Sequence, residues 1–259
     1  MTWVLENLPV ILGYLLAHLG QVLPALAACL ILAIPIAGLA RSARPLRIVL
    51  VSGFSLLYAV PSLALFVILP IILATGIRDV TNVVVALTLY GLALLVPATV
   101  DALDAVEHRV LDAATAMGMG RARRFWTVEL PLAGPAILTG LRVVAVSTVS
   151  LTTVGAVLGV RSLGRLFTDG FQRGLLAEIV TGLVLTVALA LLLDGAILLA
   201  GRLVLPWTRG RAAEPADPGQ DNGSAGPGPG GHSEPGGLSA AEQRSETRAG
   251  LGAVREGQS

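Results

Sequence analysis

Lysine is absent from this chain, and all 18 basic residues are arginine. A phosphate-binding loop of the Walker type needs a lysine to reach nucleotide phosphates, so any ATP hydrolysis coupled to this protein would belong to another subunit. Charge is scarce, at 14% of residues with a net of +1, and aromatic residues make up 4%. The single cysteine, Cys29, excludes an internal disulfide and reads as a small buried apolar residue. No Gly-x-Ser-x-Gly elbow, no Cys-x-x-Cys pair and no cluster of His and carboxylates at metal spacing occurs. These absences remove the usual hydrolase, thiol-redox and metal-centre chemistries. No catalytic residue, no cofactor and no nucleic-acid partner are expected.

Apolar residues are abundant instead. They form 54% of the chain, and the mean hydropathy is +0.78, values that suit a polytopic all-α membrane protein and not a soluble globule. A spanning helix needs about 20 apolar residues, and five candidates lie near residues 19–40, 48–73, 80–100, 135–157 and 179–201. Three of them carry no charged residue. A shorter run over 3–17, interrupted by Glu6 and Pro9, reads as an N-terminal interfacial or entry helix within residues 1–18, with a sixth span as the alternative. Glu6 and the missing basic n-region argue against a cleaved secretory signal. Pro24, Pro35, Pro61, Pro70 and Pro97 fall inside spans, where each frees a carbonyl and permits a bend that encloses a cavity.

Arginine placement orients the chain, because basic residues in short loops are retained on the cytoplasmic side. Arg41, Arg44, Arg47, Arg109, Arg121, Arg123, Arg124, Arg202, Arg209 and Arg211 fall on one side of a five-span arrangement. Arg78, Arg161, Arg165 and Arg173 fall on the other, partly offset by Asp79, Asp169 and Glu178. The N-terminus is therefore expected outside, with the 102–134 loop and the C-terminus in the cytoplasm.

That loop carries an ordered pattern: Asp112, Ala113 and Ala114, then Gly118, then Val128, Leu130 and Pro131. Good helix formers over 107–117 are stopped by Gly118 and Gly120, and Pro131 is expected to stop or kink the helix after it, giving two short helices and a turn. Ala113 and Ala114 lack bulk, which lets another surface approach the backbone. The alternative is an interfacial helix pair, with Phe125, Trp126, Val128 and Leu130 in lipid and Arg121, Arg123 and Arg124 at phosphates.

This pattern resembles the cytoplasmic loop of the membrane-spanning permease subunits of ATP-binding-cassette importers. Such a resemblance implies a permease domain over 19–204, a second permease subunit as homo- or heterodimer, cytoplasmic ATPases gripping the loop, an extracytoplasmic substrate-binding protein, and an inner-membrane location in the lipid bilayer. Tyr58-Ala-Val-Pro61-Ser62-Leu-Ala-Leu65, together with His18-Leu19, Leu89-Tyr90-Gly91 and Val128-Glu129-Leu130-Pro131-Leu132, is similar to the osmoprotectant branch, which carries glycine betaine, choline, carnitine or proline betaine. Tyr58, Pro61, Ser62, Tyr90, Pro97, Arg161 and Ser162 are the pathway or gate candidates. A same-fold permease for methionine or another amino acid, and more remotely an ATP-independent channel or scaffold, are the alternatives.

Three departures stand out. Asp112 replaces the usual Glu, Pro97-Ala98-Thr99 lacks the Arg-Asn that typically comes after this proline, and Arg161-Ser162 stands where small residues are the rule. The last two would suit one half of a heterodimer. Few aromatic residues lie in the spans, so no cage for a cation is evident. Asp194 reads as a helix-packing hydrogen-bond acceptor, Arg142 as a side chain snorkelling to inner headgroups, and His18 as an interfacial anchor. Residues 208–259 contain 17 Gly or Pro residues in 52 and no aromatic residue, so 205–259 is expected to be a disordered cytoplasmic tail.

Overall fold

Glu6 stands ahead of the first full helix and Pro9 sits in its opening turn, where a missing N–H costs nothing, so the chain enters a helix early. In a computed structural model describing residues 4 and 6–206, helix α1 runs from Leu8–Ala40 without interruption, through Pro24 and Pro35. At about 1.5 Å per residue its 33 residues extend roughly 50 Å, well beyond the ~30 Å hydrocarbon core of a bilayer. The expected entry helix and first span are thus one element. His18 is fully buried in it and accepts a hydrogen bond at Nδ1 from the Leu163 N–H at 3.4 Å, so it is not an interfacial anchor. Residues 207–259 lie outside the described residues, and with them the expected tail.

The second expected span is broken. Helices α2 (Arg44–Tyr58) and α3 (Ser62–Leu73) meet at an angle of 109°. Pro61 causes the break, since it has no N–H and forces the preceding residue out of the helical region. At the break the Val60 carbonyl, outside both helices, accepts a hydrogen bond from the Tyr90 hydroxyl at 2.6 Å. Arg47, in the first turn of α2, pairs with Asp104, whereas Phe66 and Leu69 of α3 pack with Val83 and Val160 at the opposite end, so the bent pair carries the chain from one end to the other. After α3, Asn82 ties the connection, accepting from Thr75 at 2.6 Å and donating to the Gly76 carbonyl at 2.8 Å. Asp79 then caps helix α4 (Val80–Asp104), and the Thr81 N–H that it accepts holds its carboxyl below the usual range.

Helix α5 (His108–Ala116) comes next, then α6 (Arg121–Arg124), which passes through a π-helical turn at Phe125–Glu129 directly into α7 (Leu130–Val154). A 3₁₀ turn, Gly155–Leu158, leads to α8 (Gly164–Arg173) and α9 (Leu176–Val204). No strand occurs among the described residues. Four helical stretches there are long and apolar enough to cross a membrane, and the bent pair makes a fifth.

Helix α4 is the centre: 67% of its most apolar 18-residue stretch is buried, against 6% for α9. Three apolar clusters run along its length, around Leu87 and Phe66 at one end, Val96 and Val144 in the middle, and Leu103 and Leu111 at the other. Close approach to α1 depends on Gly91, where a Cβ would collide with the Cys29 Sγ. Cys29 is fully buried, as expected, and its Sγ donates to the Thr88 carbonyl at 3.3 Å.

Candidate functional site

Helix α5 ends because Gly118 takes φ +81°, which favours glycine. The Met119 N–H donates to the Ala114 carbonyl at 3.2 Å and the Gly118 N–H to the Thr115 carbonyl at 2.9 Å, a Schellman closure. Nothing lies within 4 Å of where a Gly118 Cβ would sit, so conformation and not crowding selects glycine. The two alanines diverge: Ala113 is exposed, but Ala114 is buried on the same face as Leu111. Only Ala113 offers a low surface to a partner. Asp112 is exposed beside it and has no hydrogen-bond or ion-pair partner among the described residues.

The second half of the motif differs from expectation. Pro131 neither ends nor separates a helix. The preceding turn widens to a π register, with the Leu130 N–H reaching the Phe125 carbonyl, and this absorbs the bond that proline cannot make. Phe125, Val128 and Leu130 pack against the cluster of Leu103 and Leu111, so they face protein. Trp126 stays exposed, edge-on to Phe125 with ring centroids 5.4 Å apart.

Beneath this loop, five charged side chains and one hydroxyl form a continuous chain. Thr115 Oγ1 accepts from Arg124 Nη1 at 2.9 Å, and Arg124 Nε donates to Glu129 Oε1 at 2.9 Å. Arg41 forks, with Nη1 donating to Glu129 Oε2 at 2.5 Å and Nε to Asp104 Oδ1 at 2.8 Å. Asp104 Oδ2 lies 2.7 Å from Arg47 Nη1, an ion pair without good hydrogen-bond alignment. Glu129 is only 4% exposed, and two guanidiniums compensate its charge. From the sequence, Arg41 and Arg47 bear only on orientation, and Asp104 does not stand out. An acid held in an apolar turn beside arginines was the available signal.

The pathway candidates fall into separate places. Tyr58 and Tyr90 meet edge-on with centroids 6.2 Å apart at the break that Pro61 makes, and Tyr58 remains 49% exposed there. Ser62 opens α3 at the same break, and Pro97 lies two turns farther along α4. Arg161 and Ser162 belong to another cluster: the Arg161 carbonyl accepts from Gln21 Nε2 at 2.7 Å, and buried Ser162 Oγ accepts from the Gly164 N–H at 3.2 Å. Arg142 does not snorkel. It sits twelve residues into α7, roughly 18 Å along, and holds Asp194 of α9 through two hydrogen bonds of 2.7 Å. Asp194 is thus the packing acceptor foreseen, with an ionised donor. No group of three or more potential metal ligands occurs among the described residues.

Known proteins match this arrangement. The inward-facing MetNI methionine ABC transporter superposes with a TM-score of 0.65 at 20% identity, covering 78% of this chain and 97% of the other. An amino acid ABC transporter solved with histidines gives 0.63 at 18% identity, with 80% and 97% covered. These give the chain the ABC permease fold. Among relatives in sequence, the osmoprotectant import permease protein OsmW of Salmonella typhimurium is 29% identical over 195 residues, 74% of this chain and 90% of that protein. The glycine betaine/proline betaine permease ProW of Escherichia coli is 30% identical over 186 residues, and the chain spans 51% of its length. The ergothioneine transport permease/binding protein EgtU of Helicobacter pylori is 32% identical over 148 residues, where the chain spans 26%. Residues 29–207, which take in the loop, the charged chain beneath it and every helix from the middle of α1 onward, match one family throughout: the protein belongs to the binding-protein-dependent transport system inner membrane components.

Proposed function

We propose that this chain is the permease subunit through which an ATP-driven importer moves a quaternary-ammonium osmoprotectant, such as glycine betaine, choline, carnitine or proline betaine, into the cell. One observation carries the coupling role. A short helix, closed by Gly118, holds Asp112 and Ala113 exposed while Leu111 and Ala114 anchor it from below. This is a firm knob with one accessible face. Two cytoplasmic ATPase subunits grip such knobs, a second permease copy or paralogue completes the pathway, and an extracytoplasmic binding protein delivers the solute. ATP binding drives the knobs together and tilts the spans, and hydrolysis resets them. The N-terminus is outside and the C-terminus cytoplasmic, with Tyr58, Pro61, Ser62, Tyr90 and Pro97 along or near the pathway and Arg161 and Ser162 at its outer end.

The substrate class rests on relatives whose names include osmoprotectant, glycine betaine, carnitine and choline transport. The matches to methionine and amino-acid transporters, at 20% and 18% identity, speak for the fold alone. A second reading, ergothioneine, is favoured by the relative bearing that name. Labelled glycine betaine uptake tests the proposal in a host stripped of its own osmoprotectant importers and given this subunit with its neighbouring genes. Uptake that requires the ATPase and disappears with Gly118→Asp is expected. Competition by ergothioneine but not choline would move the assignment to the second reading, and uptake without any ATPase would make the chain a channel.

A further inference from the structure

The charged chain beneath the loop joins helix ends. Thr115 lies in the last turn of α5, Arg124 closes α6, Glu129 sits in the turn that becomes α7, Arg41 caps α1, Asp104 ends α4, and Arg47 lies in the first turn of α2. Apolar contacts of α5 through Leu111, and of the turn before it through Val106, resist separation but let surfaces slide. Charge-assisted hydrogen bonds of 2.5 to 2.9 Å are directional and resist sliding as well. Arg41 is the branch point. Its guanidinium holds two acids from two helices in one plane, a task that a lysine ammonium cannot perform. Glu129 cannot let go cheaply, because its buried carboxylate would lose its compensation.

We infer that Arg41 and Glu129 are positioning residues of the transport cycle, an ionic linkage, joined to the α5 knob by the hydrogen bond from Arg124 to the Thr115 hydroxyl, that converts displacement of the knob into joint displacement of the cytoplasmic ends of α1, α2, α4 and α7. The inference rests on the loop being the ATPase docking site. It adds that force leaves the loop through side chains contributed by residues 41, 104 and 129 and not through the covalent chain alone.

The test uses the complete importer in vesicles, with solute uptake and ATP hydrolysis measured on the same preparation. Arg41→Lys keeps the charge but loses the fork, and Glu129→Gln keeps the shape but loses the charge. For each, uptake per ATP hydrolysed is expected to fall several-fold. Hydrolysis stimulated by the loaded binding protein should persist. Asp104→Asn combined with Glu129→Gln should be no worse in that ratio than either alone, because a chain broken once transmits nothing more when broken twice. Uptake and hydrolysis falling in proportion, as a merely structural role predicts, would overturn the inference, as would losses that multiply in the double variant. If Glu129→Gln fails to assemble, Arg41→Lys and Asp104→Asn carry the same two outcomes. Gly118→Asp separates this inference from its foundation: normal uptake in that variant removes the docking site itself, whereas lost uptake with unchanged ratios in the Arg41 and Glu129 variants removes only the linkage.

Discussion

Gly118 has open space around its missing side chain but a left-handed backbone, and the two facts make opposite demands on a replacement. Asparagine and aspartate tolerate that backbone and valine does not, so Gly118→Asp acts by setting a charge against a docked subunit and not by strain. Gly118→Asn is therefore expected to keep a measurable share of uptake at equal membrane level, while Gly118→Val loses it. At Gly91 the constraint is volume. Gly91→Ala meets the Cys29 Sγ and should lower the melting temperature in detergent by the equivalent of about 1–3 kcal/mol, and adding Cys29→Ala should restore much of it. The helix end at Gly118 was legible in the sequence because its signal is local and its spacing is short. Glu129 was legible as a residue but not as a site, since its partner Arg41 lies 88 positions away and Asp104 lies 63 from Arg41. Ala114 was misplaced because a pair of adjacent alanines says nothing about which one faces inward.

At the scale of elements, the broken second span depends on Pro61 and on the Tyr90 hydroxyl that donates to the Val60 carbonyl at the break. Tyr90→Phe removes that donor and leaves the Val60 oxygen without a partner, which should cost about 1–3 kcal/mol, read as a lower melting temperature with ring packing against Tyr58 unchanged. The ion pair between α7 and α9 makes a related prediction. Its side chains are 34% and 25% exposed within two long apolar helices, where a lone charge is costly, so either charge alone is expected to be worse than neither. Asp194→Leu and Arg142→Leu should each reduce the amount of protein in the membrane, and the double variant should recover, as measured by quantitative immunoblot of membrane fractions. Apolar run length found the long helices but not the 109° angle, because Pro61 announces a bend without its size. It also divided α1 at His18, since a polar residue in an apolar run looks like a boundary when its buried partner at Leu163 is 145 positions away.

For the whole molecule, the proposed topology has five crossings, four long helices and the bent pair; it would put the two ends of the described chain on opposite sides, with the arginine distribution choosing which. Cysteine labelling reads this directly, because the native Cys29 is buried and contributes little background. Arg78→Cys is expected to react with an impermeant maleimide on intact cells, and Arg109→Cys only after permeabilisation. The all-helical class and the places of the long apolar helices were legible from composition and run length alone. The unequal covering of the helices was not, because α4 and α9 are similarly apolar and differ only in how many neighbours surround them. That inequality has an evolutionary consequence. Exposed positions of α9 such as Leu183, Leu191 and Leu199 are expected to drift among aliphatic residues, whereas positions 29 and 91 can change size only in concert. Aligned relatives should therefore show independent variation along the one helix and a correlated pair, small with larger, where the other crosses α1.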